Sequence, residues 1–365
     1  QNVVQTLEKT TDTVVLVTGE AGTGKTYVQH ALLKRLKAQK QNVFRIGPTH
    51  ASVANLPKDS STYQTFFAMP PSVDFLEVRL MDAQVKEMAG AAMRQPFIQR
   101  AKHRSEPSTL IIEEAGMISA EVIERILKTL DALGKNKFRV FLFFDILQLA
   151  PVSGKLLIES NRISQSPTLI LRTNMRQNTT EDAFVDVLRA LAKDQVDDSH
   201  YAILQSRRNR LKIEPGRRLC ARNITVEAHN RQHLNELPAQ TYTFFSEDKA
   251  VKKMPDYQAA RAPKCLSWCV GAKVVFESTP LHEVGLYNGI TGVIVDTVST
   301  GSTMLIPVIR IDKYQLDIAV HPFTEEIMTE ATGTTVPTVQ ATRTQFPFSI
   351  GAAMTVHKAQ GQTLL

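Results

Sequence analysis

Two rhythms of apolar residues alternate over the first part of the chain. Short runs at Thr13–Thr18, Asn42–Ile46, Thr109–Ile112 and Arg139–Phe144 read as strands, the last two rich in β-branched or aromatic residues. Each is followed by a turn and a helical or polar stretch, the pattern of a parallel sheet covered by helices. Tyr27–Lys40, with Val28, Leu32, Leu33 and Leu36 on one face, predicts a helix. The rhythm changes between Ser60 and Ser108. Ala68-Met69-Pro70-Pro71 breaks it, and Phe75–Gln99 reads as helical and partly basic, so an insertion is expected there. A second α/β block is expected from Pro167, with strands at Thr168–Leu171 and Arg218–Ala221 and helices at Thr180–Lys193 and Thr225–Leu237. From Ala272 to Gln345 the pattern is β, with strands at Lys273–Phe276, Thr291–Val298, Met304–Ile311 and Gln315–Val320. Gly285, Asn288-Gly289 and Gly301 punctuate it as turns of a small barrel would. Phe346–Leu365 returns to α/β.

The junction of the first strand and the first long helix carries the strongest chemistry. Val14–Thr18 runs into Gly19-Glu20-Ala21-Gly22-Thr23-Gly24-Lys25-Thr26, a strand–glycine loop–helix unit that binds phosphate. Gly22 and Gly24, with Thr23 between them, let backbone N–H groups converge on a nucleotide's phosphates; Lys25 adds a full positive charge and Thr26 an oxygen for Mg²⁺. A triphosphate-cleaving site also needs acids. Leu110-Ile111-Ile112-Glu113-Glu114 ends an apolar strand in two of them, assigned here to the metal (Glu113) and to the attacking water (Glu114). Gln148, after the strand ending at Phe144, can bond both a γ-phosphate oxygen and a water. Arg176 is expected to reach the transferring phosphoryl group from a facing domain, with Arg172 as its competitor. Thr355, His357, Lys358 and Gln360 concentrate phosphate-contacting types in one short segment.

Bulk properties narrow the partners. The 43 Lys+Arg against 36 Asp+Glu give +7, a surplus that suits a polyanion. The three cysteines, Cys220, Cys265 and Cys269, lack zinc-ligand spacing and read as reduced thiols of an intracellular protein. No apolar run approaches the roughly 20 residues of a membrane span, and no signal peptide opens the chain. The first residue is Gln and the last motif stops abruptly, as in an excised core.

The ordered set resembles the group B branch of superfamily 1 helicases, in particular the Pif and RecD-like DNA helicases, over essentially the whole chain. GEAGTGKT, PTHASVAN with STYQTFF, TLIIEEAGMIS, FFDILQLAPV, LRTNMRQ and RTQFPFSIGAAMTVHKAQGQTL follow the order of that family's motifs. The resemblance implies two RecA-like domains with parallel sheets that sandwich ATP. Domain 1A would span 1–166 with a wedge, 1B, at about 60–107; domain 2A 167–271 and 346–365; and a small β-barrel, 2B, 272–345. It implies adenine reading by Gln1, nucleotide contacts from Gln360 and Gly361, and single-stranded DNA contacts from Thr49, His50, Thr62, Gln64, Phe66, Thr355, His357 and Lys358. The implied activity is ATP- and Mg²⁺-dependent movement 5′ to 3′ on single-stranded DNA, unwinding tailed or forked duplex. The expected protein is monomeric and intracellular, in the nucleus or, for a viral member, the host nucleus. Glu113 stands where the family has Asp, Phe144 and Ala150 replace Gly and Pro, and Gln64 replaces His. These departures suggest a divergent viral or mobile-element member, and the last helicase motif would lie past Leu365. Three rivals stay open. A small-molecule kinase explains the loop and acids but not Gln148, Arg176 and 355–362 together. An RNA helicase and a degenerate nucleic-acid binding platform are the others.

Overall fold

The computed structural model describes residues 2–53, 60–69, 81–173, 175, 182–208, 216–250, 262–277, 286–299, 301, 304–328 and 339–360. Two compact units divide the chain at Ile213/Glu214.

The first unit is built on six strands: β1 (Val14–Gly19), β2 (Val43–Gly47), β3 (Ser60–Thr62), β4 (Ser108–Ile112), β5 (Phe138–Phe144) and β6 (Thr168–Leu171). They lie in the order β3-β2-β4-β5-β1-β6, and every pairing is parallel. Successive side chains of a strand point to opposite faces, so a strand covered on both sides must be apolar throughout. β1, β4 and β5 obey this closely. Val14, Leu16, Leu110, Ile112, Val140, Leu142 and Phe144 enter one core, and Val15, Val17, Ile111, Phe141 and Phe143 enter the other.

The helices are α1 (Asn2–Lys9), α2 (Lys25–Ala38), α3 (His50–Val53), α4 (Tyr63–Phe67), α5 (Met81–Ala92), α6 (Pro96–Lys102), α7 (Ala120–Leu133), α8 (Asn161–Ser164), α9 (Asp182–Ala192) and α10 (Asp198–Arg208). Val28, Leu32, Leu33 and Leu36 of α2 fill the second core as its periodicity predicts, with α1 beside them and Arg35 paired to Glu8 at 2.7 Å. Val122, Ile123, Ile126 and Leu130 of α7 fill the first.

Two expectations need correction. Thr168–Leu171 does not open a second α/β block: it pairs with β1, from Leu16 opposite Thr168 to Gly19 opposite Leu171, as an outer strand of the first sheet. A four-residue apolar run carries no label saying which sheet it joins, and the short connection after α8 keeps it in the first. The described part of 60–107 is likewise integral to the first unit, since β3 pairs with β2 while Phe66, Phe67, Met88, Ala92 and Phe97 lie in its core.

The second unit opens with β7 (Arg218–Cys220) and α11 (Asn223–Glu236), then becomes antiparallel. Its further strands are β8 (Tyr242–Phe245), β9 (Glu247–Ala250), β10 (Cys265–Trp268), β11 (Lys273–Phe276), β12 (Thr291–Ser299), β13 (Leu305–Ile311), β14 (Leu316–Ala319), β15 (Phe323–Met328), β16 (Val339–Gln345), β17 (Phe348–Ile350) and β18 (Ala353–Thr355), followed by helix α12 (Val356–Ala359). The sheets are β14-β13-β12-β11-β17, β15-β16-β9 and β10-β8, with a parallel pair β18-β7. The antiparallel region therefore runs past the expected limit at Gln345, because Phe348–Ile350 pairs with β11. Trp268, Phe276, Phe346 and Phe348 centre its core. Buried Arg343 is gripped by Asp248 through two bonds of 2.8 Å each, and Arg217 by Asp312 at 2.9 Å. Among the described residues no helix is long and apolar enough to cross a membrane.

Candidate active site

β1 ends at the mouth of the glycine loop. A Cβ on Gly19 would meet the Leu171 carbonyl oxygen and Thr23 Oγ1, each at 2.6 Å, so β6 can approach only a glycine here. Thr23 Oγ1 donates to the Glu20 carbonyl (2.8 Å) and braces the loop on itself. Gly24 caps α2 at φ 87°, a left-handed conformation that strains any residue with a Cβ. Lys25 and Thr26 thus begin the helix, where unpaired N–H groups and the helix dipole favour an anion. Lys25 Nζ donates to the carbonyls of Gly19 (2.6 Å) and Glu20 (3.0 Å) and lies 3.5 Å from Asp145 Oδ2. Its ammonium is held over the loop.

Strand order decides which acids face that ammonium. β5 lies between β4 and β1, so the end of β5 is the loop's direct neighbour. It supplies Asp145, a buried carboxylate that accepts from the Leu147 N–H (3.1 Å) and from Gln148 Nε2 (3.2 Å). Sequence reasoning passed over Asp145, although it is the first polar residue after the five-residue apolar run Val140–Phe144 that ends β5. From β4, Glu114 sits at φ 48°, a costly left-handed conformation for a non-glycine residue and of a kind concentrated at functional sites. Burial pushes its carboxyl up; Lys25 opposes the rise and Asp145 adds to it. Glu114 therefore answers to the same charges as the loop.

Glu113 has a different partner. Burial pushes its carboxyl up to about 7, the Arg45 guanidinium opposing and Glu114 adding. Arg45, on β2 and 2% exposed, brings Nη1 to 3.1 Å from Glu113 Oε2. That contact is at ion-pair distance but off the hydrogen-bond line, so Oε2 accepts no hydrogen bond. The signal for Arg45 was a lone cation inside an apolar strand.

A cleft of about 220 Å³ opens beside the loop, lined by Gly22, Asp145, Gln148 and, from α9, Val185, Leu188 and Arg189. Arg189 Nε donates to Glu20 Oε2 at 2.8 Å. The Met175 N–H donates to the Gly22 carbonyl (2.7 Å). Arg176 itself lies outside the described residues, as do Gln1 and Gly361. Met175, the residue before Arg176, is thus bonded to the phosphate loop, while the expected reach of Arg176 to the phosphoryl group falls outside the described residues.

The expected DNA contacts fare unevenly. Phe66 is 0% exposed, its ring 5.1 Å from that of Phe44 and 4.8 Å from that of Phe67, and it is core rather than contact. The aromatic face was needed to seal α4 against β2. Phe66→Ala should lower stability by about 3–5 kcal/mol in chemical denaturation, with single-strand affinity of the remaining folded fraction unchanged. Thr62 is buried and its hydroxyl caps α4 by accepting from the Thr65 N–H (3.3 Å), so it too is structural. Thr49 accepts from the Ser52 N–H (3.2 Å). His50 begins α3, but its side chain is not among those described. Gln64 Nε2 reaches the Pro48 carbonyl at 3.5 Å while its buried Oε1 accepts no hydrogen bond. In the second unit Thr355 caps α12 through the Lys358 N–H (3.3 Å), Lys358 Nζ pairs with Glu277 at 2.5 Å, His357 is exposed, and the Gln360 N–H donates to the Val356 carbonyl.

The sequence profile of the AAA domain family matches residues 1–213. The ATP-dependent DNA helicase Pif1 of Campylobacter jejuni is 23% identical over 375 residues, covering 96% of this chain and 81% of the relative. ATP-dependent DNA helicase PIF1 of Danio rerio is 26% identical over 365 residues and covers 96% of this chain; the chain spans 53% of that relative's length. Among solved structures, the Pif1 helicase from Bacteroides in complex with ADP-AlF3 and ssDNA superposes with a TM-score of 0.72 at 21% identity, covering 100% of this chain and 83% of that one. The profile takes in more than half of the chain, which therefore belongs to the AAA domain family and carries the α/β fold of the Pif1 helicases.

Proposed function

We propose that this chain is an ATP-driven motor on single-stranded DNA, a helicase that moves 5′ to 3′ and opens duplex ahead of it. One observation carries the reading: Lys25, Asp145, Glu114 and Gln148 gather at one end of a parallel sheet around a phosphate loop. Each has a task in cleaving a triphosphate. Lys25 leaves its loop carbonyls for phosphate oxygens, and the α2 N-terminus binds them from below. A water attacks the γ-phosphorus, ADP leaves, and the water's proton passes to Glu114, whose carboxylate burial makes the stronger base. Gln148, steadied by Asp145, orients the water.

The residues fit a divalent cation in part. Among the described residues no group of three or more His, Cys, Asp or Glu could hold a metal ion by itself; Mg²⁺ bound here would take most of its ligands from water and phosphate. Glu113 Oε2, buried without a hydrogen-bond donor, and the Thr26 hydroxyl would hold it. It would supply charge neutralisation between the phosphates.

The two units each carry candidate backbone contacts: Thr49, His50 and Gln64 in the first, and Thr355, His357 and Lys358 in the second. The surplus of 7 positive charges supports phosphate-dominated, sequence-tolerant binding that weakens steeply with salt. In this reading the protein is monomeric and works inside the cell on tailed or forked DNA.

ATP turnover with and without single-stranded DNA or RNA tests the proposal. Stimulation of about tenfold or more by DNA, smaller for RNA, and falling with salt is the expected result. Equal stimulation by RNA would move the reading to an RNA motor, and none by either polymer would end the motor reading.

A further inference from the structure

The phosphate loop carries a charge that works against its task. Glu20 is the second residue of the loop, where a triphosphate brings several negative charges, and nothing in cradling phosphate calls for a carboxylate. Its partner is Arg189, the eighth position of a helix far away in sequence, with Nε 2.8 Å from Oε2. Both side chains are partly exposed, so this bond is weak and salt-screened. Arg189 also lines the cleft that Gly22, Asp145 and Gln148 line, so the same guanidinium stands within the walls of the space beside the loop. A terminal phosphate carries more charge than a carboxylate and presents acceptors that match the planar fork of an arginine.

We propose that Arg189 is a triphosphate-sensing residue that exchanges Glu20 for the terminal phosphate, and that Glu20 sets the threshold for the exchange. The proposal rests on the nucleotide reading of the loop. It assigns α9 a link to nucleotide that exists only when the third phosphate is present. Diphosphate leaves Arg189 with Glu20.

Binding of fluorescent ADP and of a fluorescent non-hydrolysable ATP analogue to the full chain tests this, using Arg189→Ala, Arg189→Lys, Glu20→Gln and the double variant Arg189→Ala/Glu20→Gln. Arg189→Ala is expected to weaken the triphosphate analogue about tenfold while ADP changes less than about twofold, with Arg189→Lys in between. Glu20→Gln releases the guanidinium and should tighten the analogue by about threefold, a gain absent in the double variant. Equal loss of both nucleotides in Arg189→Ala, or no loss of either, would overturn the proposal. So would a Glu20→Gln gain that survives without Arg189, since the carboxylate would then act directly on the phosphates. Failure of the unaltered chain to bind ADP would instead strike the phosphate-loop reading, and this proposal with it.

Discussion

Lys25→Ala is expected to remove ATP turnover, by at least about 10²–10³-fold, as loss of a positioned donor to a transition-state oxyanion does. The structure says why no neighbour can substitute. Lys25 Nζ is fixed by two loop carbonyls and by Asp145, so its charge is already aimed at the mouth of the loop before any phosphate arrives. Arg45 lies with Glu113, and Arg189 pairs with the Glu20 carboxylate rather than with the two loop carbonyls that hold the Lys25 ammonium. Lys25→Arg should not rescue: a planar guanidinium cannot occupy the point between the Gly19 and Glu20 carbonyls that a compact ammonium fills. The fold should survive, because Asp145 keeps its bonds from Leu147 and Gln148. DNA-stimulated turnover beside a thermal melt checks this. Turnover within tenfold of the unaltered chain, at an unchanged melting temperature, would rule out phosphoryl chemistry at this loop and favour a binding platform.

What was legible in the sequence follows from how local each signal is. β1, the glycine loop and α2 are contiguous, and one stretch of chain dictates their geometry: apolar run, glycines at positive φ, amphipathic helix. β4 and β5 were legible because a strand covered on both faces must be continuously apolar. Sheet membership was not. Thr168–Leu171 is half-exposed in its pattern, and only pairing with β1 shows where it belongs. The same limit hid the partners of charged residues. Arg45 could be seen as an oddity within β2, but Glu113 stands 68 positions later, and the Glu20–Arg189 pair is separated by 169. Phe66 and Thr62 show the opposite error. A segment whose resemblance implied DNA contacts contains residues that here fill a core and cap a helix, and motif matching alone cannot tell the two uses apart.

The Arg45–Glu113 pair gives the second large expectation, and its sign depends on pH. Glu113 carries a carboxyl pushed up to about 7 in the folded chain, against an ordinary 4.5. Below about pH 4.5 it is protonated in both states and costs nothing. Between there and about 7 the folded chain keeps a proton that the unfolded chain has released, so this group's contribution lowers stability as pH rises, by about 3 kcal/mol in all. Glu113→Gln should flatten that part of the profile. Arg45→Met removes the one cation facing the carboxylate and strands it beside Glu114, so it should cost about 3–5 kcal/mol at pH 8. The loss should shrink at pH 5, where Glu113 is neutral and needs no partner. Adding Glu113→Gln to Arg45→Met should recover most of the stability at pH 8, because two uncharged groups of similar size need no ion pair. Yet the double variant should need far more Mg²⁺ for turnover than the unaltered chain, since the acid that would hold the cation is gone. Urea melts at pH 5 and 8, read beside Mg²⁺ titrations of ATP turnover, separate the two roles. A penalty for Arg45→Met that is the same at both pH values would mean that the guanidinium matters for packing alone. Unchanged Mg²⁺ demand in the double variant would transfer the metal to Asp145, whose carboxylate already lies 3.5 Å from Lys25.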